Sequence, residues 1–271
     1  MRTRTLSLSA LGVAGVLALL MVAACATSGV NRGDFNIMSY EEEWALGQKL
    51  EADIARQLPL VNDRTALAYL NGVGQRIVRR TELARLPWEF HLVADPKVNA
   101  FNIPGGHVYV HTGLVATADN ASELAGVLAH EIAHGVSRHS TEQLSRAYGL
   151  SAVASMALGR NPAAYQQILA QIVGAGTLAR FSRGAELEAD RLGVRYMHGA
   201  GYDPRGMVSI FQELLAQRQR RPSSVERFFA SHPLTEERLA EVRREISGLP
   251  ASRVATTDSG YGGFQRRVAG R

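Results

Sequence analysis

The chain has only one cysteine, Cys25, among its 271 residues, so a disulfide within one copy of the chain is excluded. It also lacks a strong excess of charge. The formal net charge is +5 at pH 7, and without Arg2 and Arg4 it falls to +3 (5 − 2). This charge is small and dispersed, so we expect no nucleic-acid partner. The sequence has no internal repeats either, which argues against a solenoid or an array.

The rest of the composition is typical of one globular domain. Hydrophobic residues make up 46% of the chain and charged residues 20%. Without the first 24 residues, 247 remain (271 − 24), which is enough to bury a sizeable core.

Residues 130–134 read His-Glu-Ile-Ala-His and are the most informative segment. Asn120 is a predicted N-cap, and apolar residues at helical spacing predict a helix over residues 121–136. Two histidines four apart share one helical face, so their imidazoles can converge on one zinc ion. Glu131 can then act as general base toward a water in the open position of the metal. The alternative is a helix that carries two solvated histidines by coincidence.

A catalytic zinc needs a third protein ligand. The metzincin continuation is absent after His134, but Glu186 and Asp190 lie four apart on a later predicted helix. Glu186 can ligate the metal, and Asp190 can accept the other ring N–H of His130 and so fix its tautomer.

The alternative for Glu186 and Asp190 is an acidic helix face paired with Arg183 or Arg191. Taken alone, this stretch favours the ion pairs; with the first motif, the ligand interpretation is favoured. Glu188 points to another face, and we expect it to be solvated.

These two motifs resemble those of the HtpX/BepA-like zinc metallopeptidases, metallopeptidase family forty-eight. Residues 99–114, 201–204 and 231–234 are also similar to family segments, and the resemblance covers roughly residues 40 to 246. It implies a gluzincin endopeptidase of the α+β class: a predominantly helical, zincin-like domain with a small β-sheet and one active-site helix.

The resemblance also implies roles for individual residues. His130, His134 and Glu186 would hold one Zn²⁺ per chain, and Glu131 would be the catalytic base. His232 would lie near the metal, where it either fills the open position and inhibits the enzyme or contacts the oxyanion. From the residues alone, His232 is only a loop histidine ahead of a predicted helix.

The strand predicted over residues 107–111 is a candidate substrate site. It alternates polar and apolar residues, so Val108 and Val110 should face the core while His107, Tyr109 and His111 face outward. An edge strand beside a protease site can bind an extended peptide by strand addition, which the resemblance also implies. The alternative is a simple core hairpin. His107 and His111 are predicted to be surface residues. Three further histidines are predicted to be structural or exposed: His91, His139 and His198.

The N-terminus predicts a cellular address. Residues 6–24 are apolar, and residues 22–25 resemble a bacterial lipobox that ends at Cys25. We expect a lipoprotein signal peptide over residues 1–24 and lipidation of Cys25, which would anchor the chain without spanning the membrane. The alternative is an uncleaved membrane anchor. Because Ala26 follows the cysteine, resemblance to lipoprotein sorting in Gram-negative bacteria favours the periplasmic face of the outer membrane.

The remaining segments are predicted by capping and turn signals. Residues 147–178 have Arg160 as their only charge, and a break at residues 161–162 divides them into two helices too short to span a bilayer. They are a lid, a membrane-resting face or, as we favour, core helices. The other predicted segments are a tether over 25–38, a metallopeptidase domain over 39–250, a disordered tail over 251–271, helices over 39–57, 63–80, 182–197, 204–217 and 235–247, a strand over 88–94, and a turn flanked by Val98 and Phe101.

These expectations favour an endopeptidase that cleaves misfolded or stalled cell-envelope proteins. A second hypothesis is a periplasmic chaperone or assembly factor for outer-membrane proteins, with latent proteolysis and the outer-membrane assembly machinery as partner. A third is a lipoprotein with a relic structural zinc. The presence of Glu131 argues against it, because a structural zinc has no use for a base.

Overall fold

A computed structural model describes residues 38–149, 155, 160–175 and 180–268. The predictions for the signal peptide and Cys25 lie outside these residues. The described elements, in chain order, are α1 (Tyr40–Ile54), α2 (Arg64–Val78), β1 (Glu89–Val93), β2 (Ala100–Ile103), β3 (His107–His111), α3 (Thr112–Thr117), α4 (Ala121–Val136), α5 (His139–Tyr148), α6 (Pro162–Ala175), α7 (Arg183–Gly199), α8 (Arg205–Arg220), α9 (Pro222–Ser231), α10 (Glu236–Ser247) and α11 (Tyr261–Val268). The fold is mostly helical with a small sheet, as the sequence predicted.

Several helices begin where their capping residues predict. Ser39 and Glu42 form the expected capping box of α1: the Glu42 N–H donates to Ser39 Oγ at 3.1 Å, and the Ser39 N–H donates to the Glu42 carboxylate at 2.9 Å. Asp63 accepts from the first turn of α2, and Thr235 from the first turn of α10. The short helices α3, α5 and α9 were not predicted as elements of their own.

The sheet has the strand order β1-β3-β2, with β1 parallel and β2 antiparallel to β3. The prediction that residues 107–111 form an edge strand is therefore wrong. A strand, β2, occupies the place where the sequence predicted a turn near Val98 and Phe101, and it pairs with the open side of β3.

Helices cover both faces of this sheet. On one face, Phe90 packs against Gly74 of α2. On the other, Tyr109 and Phe101 join a buried apolar cluster with Leu46 of α1. All five residues of β3 are consequently buried, which corrects the expectation that every second one faces outward.

The same covering helices bury both histidines at the ends of β3. His107 is 3% exposed and His111 2% exposed, so the prediction that they are surface residues is wrong. An alternating pattern predicts a solvated face only where one side of the sheet is left uncovered.

Helix α4 runs through the centre of the molecule and packs against α7, α8 and β2. Gly193 lets α7 approach closely, because a Cβ there would lie 3.3 Å from the backbone of Ala129 and His130. This close packing brings the carboxylates of α7 beside the histidines of α4.

The C-terminal segment contains a packed helix, so the predicted disordered tail is corrected over the described residues 251–268. Helix α11 buries Tyr261, Phe264 and Val268. The Phe264 ring stacks on Tyr69 of α2 with centroids 4.7 Å apart, and the Tyr261 hydroxyl donates to the Ala118 carbonyl at 2.6 Å. The apolar spacing within the Gly-rich tail is the signal that sequence reasoning missed.

The weakly polar segment over residues 147–178 is only partly described. Its helix α6 buries Ile168 and Ile172 in the same apolar cluster as α1, as expected for a core helix, and the Tyr165 hydroxyl donates to the Lys49 carbonyl at 3.0 Å. Among the described residues, no helix combines the length and the apolar character needed to cross a bilayer.

Candidate metal centre

Helix α4 positions two histidines and a glutamate at the centre of the core. The Asn120 side chain caps this helix by accepting from the N–H groups of Ser122 and Glu123, each at 3.1 Å. One turn apart on the same face, His130 Nε2 and His134 Nε2 lie 3.1 Å from each other.

Helix α7 and the loop after α9 complete the cluster. Glu186 Oε1 lies 3.3 Å from His134 Nε2, and Glu186 Oε2 lies 3.7 Å from His130 Nε2. His232 Nδ1 lies 3.0 Å from Glu186 Oε1 and 3.2 Å from His130 Nε2. The four donor atoms all lie within 4.8 Å of one another, and all four residues are buried.

These residues fit a divalent metal such as zinc. Imidazole nitrogens and carboxylate oxygens are common zinc ligands, and bonds of about 2.0–2.1 Å in a tetrahedron separate neighbouring ligand atoms by roughly 3.3–3.4 Å. The contacts between His130, His134, Glu186 and His232 span 3.0 to 3.7 Å around that value. With His232 the set has four donors, whereas a catalytic zinc keeps one position open.

The outer ring nitrogens of the α4 histidines also have partners. Asp190 Oδ1 lies 3.0 Å from His130 Nδ1, the pairing that the sequence predicted. His139 Nδ1 lies 2.9 Å from His134 Nδ1, so one nitrogen donates and the other accepts. His139 in turn lies 3.5 Å from Glu188, which is only partly exposed. Glu188 was expected to be solvated, and its contact with His139 corrects that expectation. His139 was predicted to be structural or exposed, and the structure places it in the buried, structural class.

Arg238 is the residue of this site that sequence reasoning missed. It is 2% exposed and donates to both carboxylate oxygens of Asp190 at 2.7 Å, and it also contacts Glu186. The alternative pairing of these carboxylates with Arg183 or Arg191 is wrong, since both arginines pair with glutamates of α10. No local pattern marks Arg238, because Asp190 lies 48 residues away in the chain.

Glu131 is completely buried beside the cluster. His232 Nε2 lies 3.3 Å from Glu131 Oε1, but neither carboxylate oxygen makes a side-chain hydrogen bond within the part of the chain that the structure describes. Burial raises the pKa of Glu131 above its usual range, although His232, His130 and the backbone N–H of Asn102 act in the opposite direction. A carboxylate placed in this way is ready to accept a proton.

Three neighbouring groups, His134, Glu186 and Asp190, are held in the forms that suit a metal site. Burial lowers the pKa of His134 well below its usual value, which leaves the neutral imidazole that ligates metals. Burial acts to raise the pKa of Glu186 and of Asp190. The positive charges of His232 and Arg238 nevertheless hold the pKa of Glu186 well below its usual range, and Arg238 lowers the pKa of Asp190. Both carboxyls are therefore ionised.

The described structure encloses the site. Phe181 stacks on the His134 ring with centroids 4.0 Å apart, and Phe228 lies 5.3 Å from the His232 ring. Glu131, His134 and His232 have no exposed surface. A substrate therefore reaches the cluster only after part of this cover moves.

The strand nearest to α4 is β2 rather than β3. The His111 N–H donates to the Asn99 carbonyl at 3.0 Å, and the alternation of an antiparallel ladder then turns the peptide groups of Ala100 and Asn102 away from β3. The four predicted substrate-binding residues lie in the central strand, paired on both sides: His107, Val108, Tyr109 and Val110.

Comparison with known proteins adds independent findings. Residues 65–246 match Peptidase family M48. The chain is 32% identical over 235 residues to the beta-barrel assembly-enhancing protease of Escherichia coli K12, covering 83% of the chain and 48% of that protein. The corresponding Yersinia pestis protein is 33% identical over 221 residues, covering 78% of the chain and 45% of that protein.

A mitochondrial relative is similar over most of the chain as well. The metalloendopeptidase OMA1 of Schizosaccharomyces pombe is 31% identical over 231 residues, covering 80% of the chain and 67% of that protein. The chain spans about half the length of the two bacterial relatives.

Proposed function

Because the chain belongs to peptidase family M48, with residues 65–246 matched, we propose that it is a zinc-dependent endopeptidase. The observation that carries this proposal is the convergence of His130, His134 and Glu186 on one point, with the fully buried carboxylate of Glu131 beside them. Such a set provides three ligands and a base, as peptide hydrolysis at a zinc ion requires.

Zinc bound by these residues would supply a Lewis acid that polarises a scissile carbonyl and lowers the pKa of water. Glu131 accepts the proton of the attacking water and later delivers it to the leaving amine. Its raised pKa suits both steps, because the carboxyl can hold the proton between them. Asp190 holds the His130 ring in the orientation that a ligand needs, and Arg238 holds Asp190.

His232 keeps the described conformation inactive. Its Nδ1 lies among the three other donor atoms and its Nε2 lies beside Glu131, so it occupies the place where water and substrate would bind. Activity then requires the loop that carries His232 to move away. This closed arrangement also favours the second function, an assembly factor for outer-membrane proteins whose proteolysis is latent.

An extended substrate would bind along the outer edge of β2. The outward peptide groups of Ala100 and Asn102 can extend the sheet by one strand, and this edge lies beside α4 and Glu131. The assignment replaces the one predicted for residues 107–110, which have no free edge.

The proposed substrates are misfolded or stalled proteins of the cell envelope. Two observations support this choice: the lipobox-like residues 22–25, and the similarity to proteases named for enhancing beta-barrel assembly. We further propose that residues 1–24 are a signal peptide, that the domain begins near residue 39 after a tether, and that lipidated Cys25 anchors the chain at the periplasmic face of the outer membrane.

The test is cleavage of casein and of an unfolded porin by the purified chain, with metal analysis of every sample. We expect Glu131→Gln to retain zinc and to lose activity by about 10²- to 10⁴-fold, the usual contribution of general acid–base catalysis. The matched control is Glu226→Gln, since Glu226 is an exposed residue of α9. Equal activity of Glu131→Gln and the control would refute the endopeptidase mechanism.

The assembly role is separated by a second assay. If Glu131→Gln supports porin assembly in cells as well as the unchanged chain, while neither protein cleaves substrate even after His232→Ala, the assembly function replaces the protease as our conclusion.

A further inference from the structure

A second group of metal-binding residue types lies in the sheet, and we name it the sheet cluster: Glu89, His91 and His107. Glu89 and His91 share one face of β1, and the parallel register pairs Glu89 with His107 on that same face. Their donor atoms lie within 4.8 Å of one another. The cluster shares no residue with the candidate metal centre.

One ring nitrogen of each histidine in this cluster is buried and has no hydrogen-bond partner among the described residues. His107 is 3% exposed, and its Nδ1 has no hydrogen-bond partner among the described residues. His91 Nε2 is in the same condition. The two rings lie side by side with centroids 5.7 Å apart. Buried polar atoms are nearly always satisfied in proteins, so two such nitrogens within 3.9 Å of one carboxylate make this cluster a candidate ligand site.

Distances and geometry suit a cation of the transition series. His91 Nε2 lies 3.9 Å and His107 Nδ1 lies 3.8 Å from the same oxygen of Glu89. Ligand atoms in a tetrahedral zinc site are about 3.3–3.4 Å apart, so a shift of roughly half an ångström would bring the Glu89 oxygen to that spacing from both nitrogens. The Glu89 side chain is 57% exposed and free to make this adjustment.

We propose that Glu89, His91 and His107 form a second site for a divalent transition-metal ion, best suited to Zn²⁺, that ties β1 to β3 beneath α1. A donor set of two imidazoles and one carboxylate suits zinc better than it suits magnesium or calcium. Solvent enters from the exposed side of Glu89 and completes the coordination. The site does not depend on the proposed peptidase activity.

The test counts zinc per chain after saturation with zinc and removal of the free ion. The unchanged protein and Glu131→Gln should each hold two zinc ions. His134→Gln should hold one, in the sheet cluster, and the combination of His134→Gln with Glu89→Gln should hold none. Because Glu89 is exposed, its replacement leaves the fold intact, and circular dichroism checks this.

A second measurement follows stability rather than stoichiometry. In the His134→Gln background, zinc should raise the melting temperature, and adding Glu89→Gln or His107→Gln should abolish that rise. The matched control is His198→Gln, a partly exposed histidine of α7 outside both sites. One zinc per chain that is lost with His134→Gln alone, or a second zinc lost equally with His198→Gln, would overturn the proposal.

Discussion

The candidate metal centre and the sheet cluster contain the same residue types but differ in what surrounds them. In the metal centre the outer nitrogens of His130 and His134 contact Asp190 and His139, and Arg238 neutralises the carboxylates. In the sheet cluster the two histidine nitrogens lie farther from their carboxylate, at 3.8 and 3.9 Å from Glu89, whose side chain is 57% exposed. Support from surrounding groups, rather than ligand type, separates a pre-organised site from an adaptable one.

The largest effect on the metal centre is expected from replacing Arg238, which supports its carboxylates. We expect Arg238→Met to lower the free energy of unfolding by about 3–5 kcal/mol, because it removes the guanidinium that pairs with the buried charges of Asp190 and Glu186. Chemical denaturation measures this change. The control is Arg183→Met, which breaks an exposed ion pair and should leave the midpoint almost unchanged. A shift of similar size in both variants would refute the assigned role of Arg238.

The contact between Asp190 and His130 should matter mainly for metal affinity. Asp190→Asn removes the charge that orients the ligating ring, so we expect zinc affinity to fall by about 10- to 100-fold. Competition with a chromogenic chelator measures this affinity. Asp119→Asn, at an exposed position before α4, is the matched control and should bind zinc as the unchanged chain does.

Removing His232 from the fourth ligand position of the metal centre should raise the peptidase activity. If His232 holds the site closed, His232→Ala removes the competing ligand, and we expect the initial rate of casein cleavage to rise by about tenfold. That change corresponds to about 1.4 kcal/mol less free energy favouring the closed conformation over the open one. Initial rates at saturating zinc test this. A loss of cleavage with zinc retained would instead assign His232 to stabilisation of the oxyanion.

The smallest effect is expected in the sheet cluster without metal. His107 makes no hydrogen bond through Nδ1, so we expect His107→Leu in zinc-free protein to change the free energy of unfolding by no more than about 1 kcal/mol. Denaturation in the presence of a chelator measures it. A large destabilisation would show that His107 already has a polar partner, and the contrast with the metal centre would fail.

Local patterns predicted much of the fold and part of the site. The spacing of residues 130–134 fixed two imidazoles on one helical face, and the same four-residue spacing predicted Glu186 and Asp190. Capping residues such as Ser39 and Asn120 marked helix starts to within one residue. These features depend on helix geometry, which a short segment determines by itself.

Longer-range features escaped prediction. The alternation in β3 was read as an edge strand because nothing local shows that β2 pairs with it on one side and β1 on the other. The stripe of Tyr261, Phe264 and Val268 was hidden in a Gly-rich tail whose burial depends on α2 and α3.

The sequence by itself thus determined the chemistry: two histidines, a base and two carboxylates at helical spacings. Only the tertiary structure decided which groups meet them, namely Arg238, His139 and His232, and which strand has a free edge. The physical reason is that helical spacing is set within one turn of chain, whereas the partners of a buried charge are chosen by packing between segments far apart in sequence.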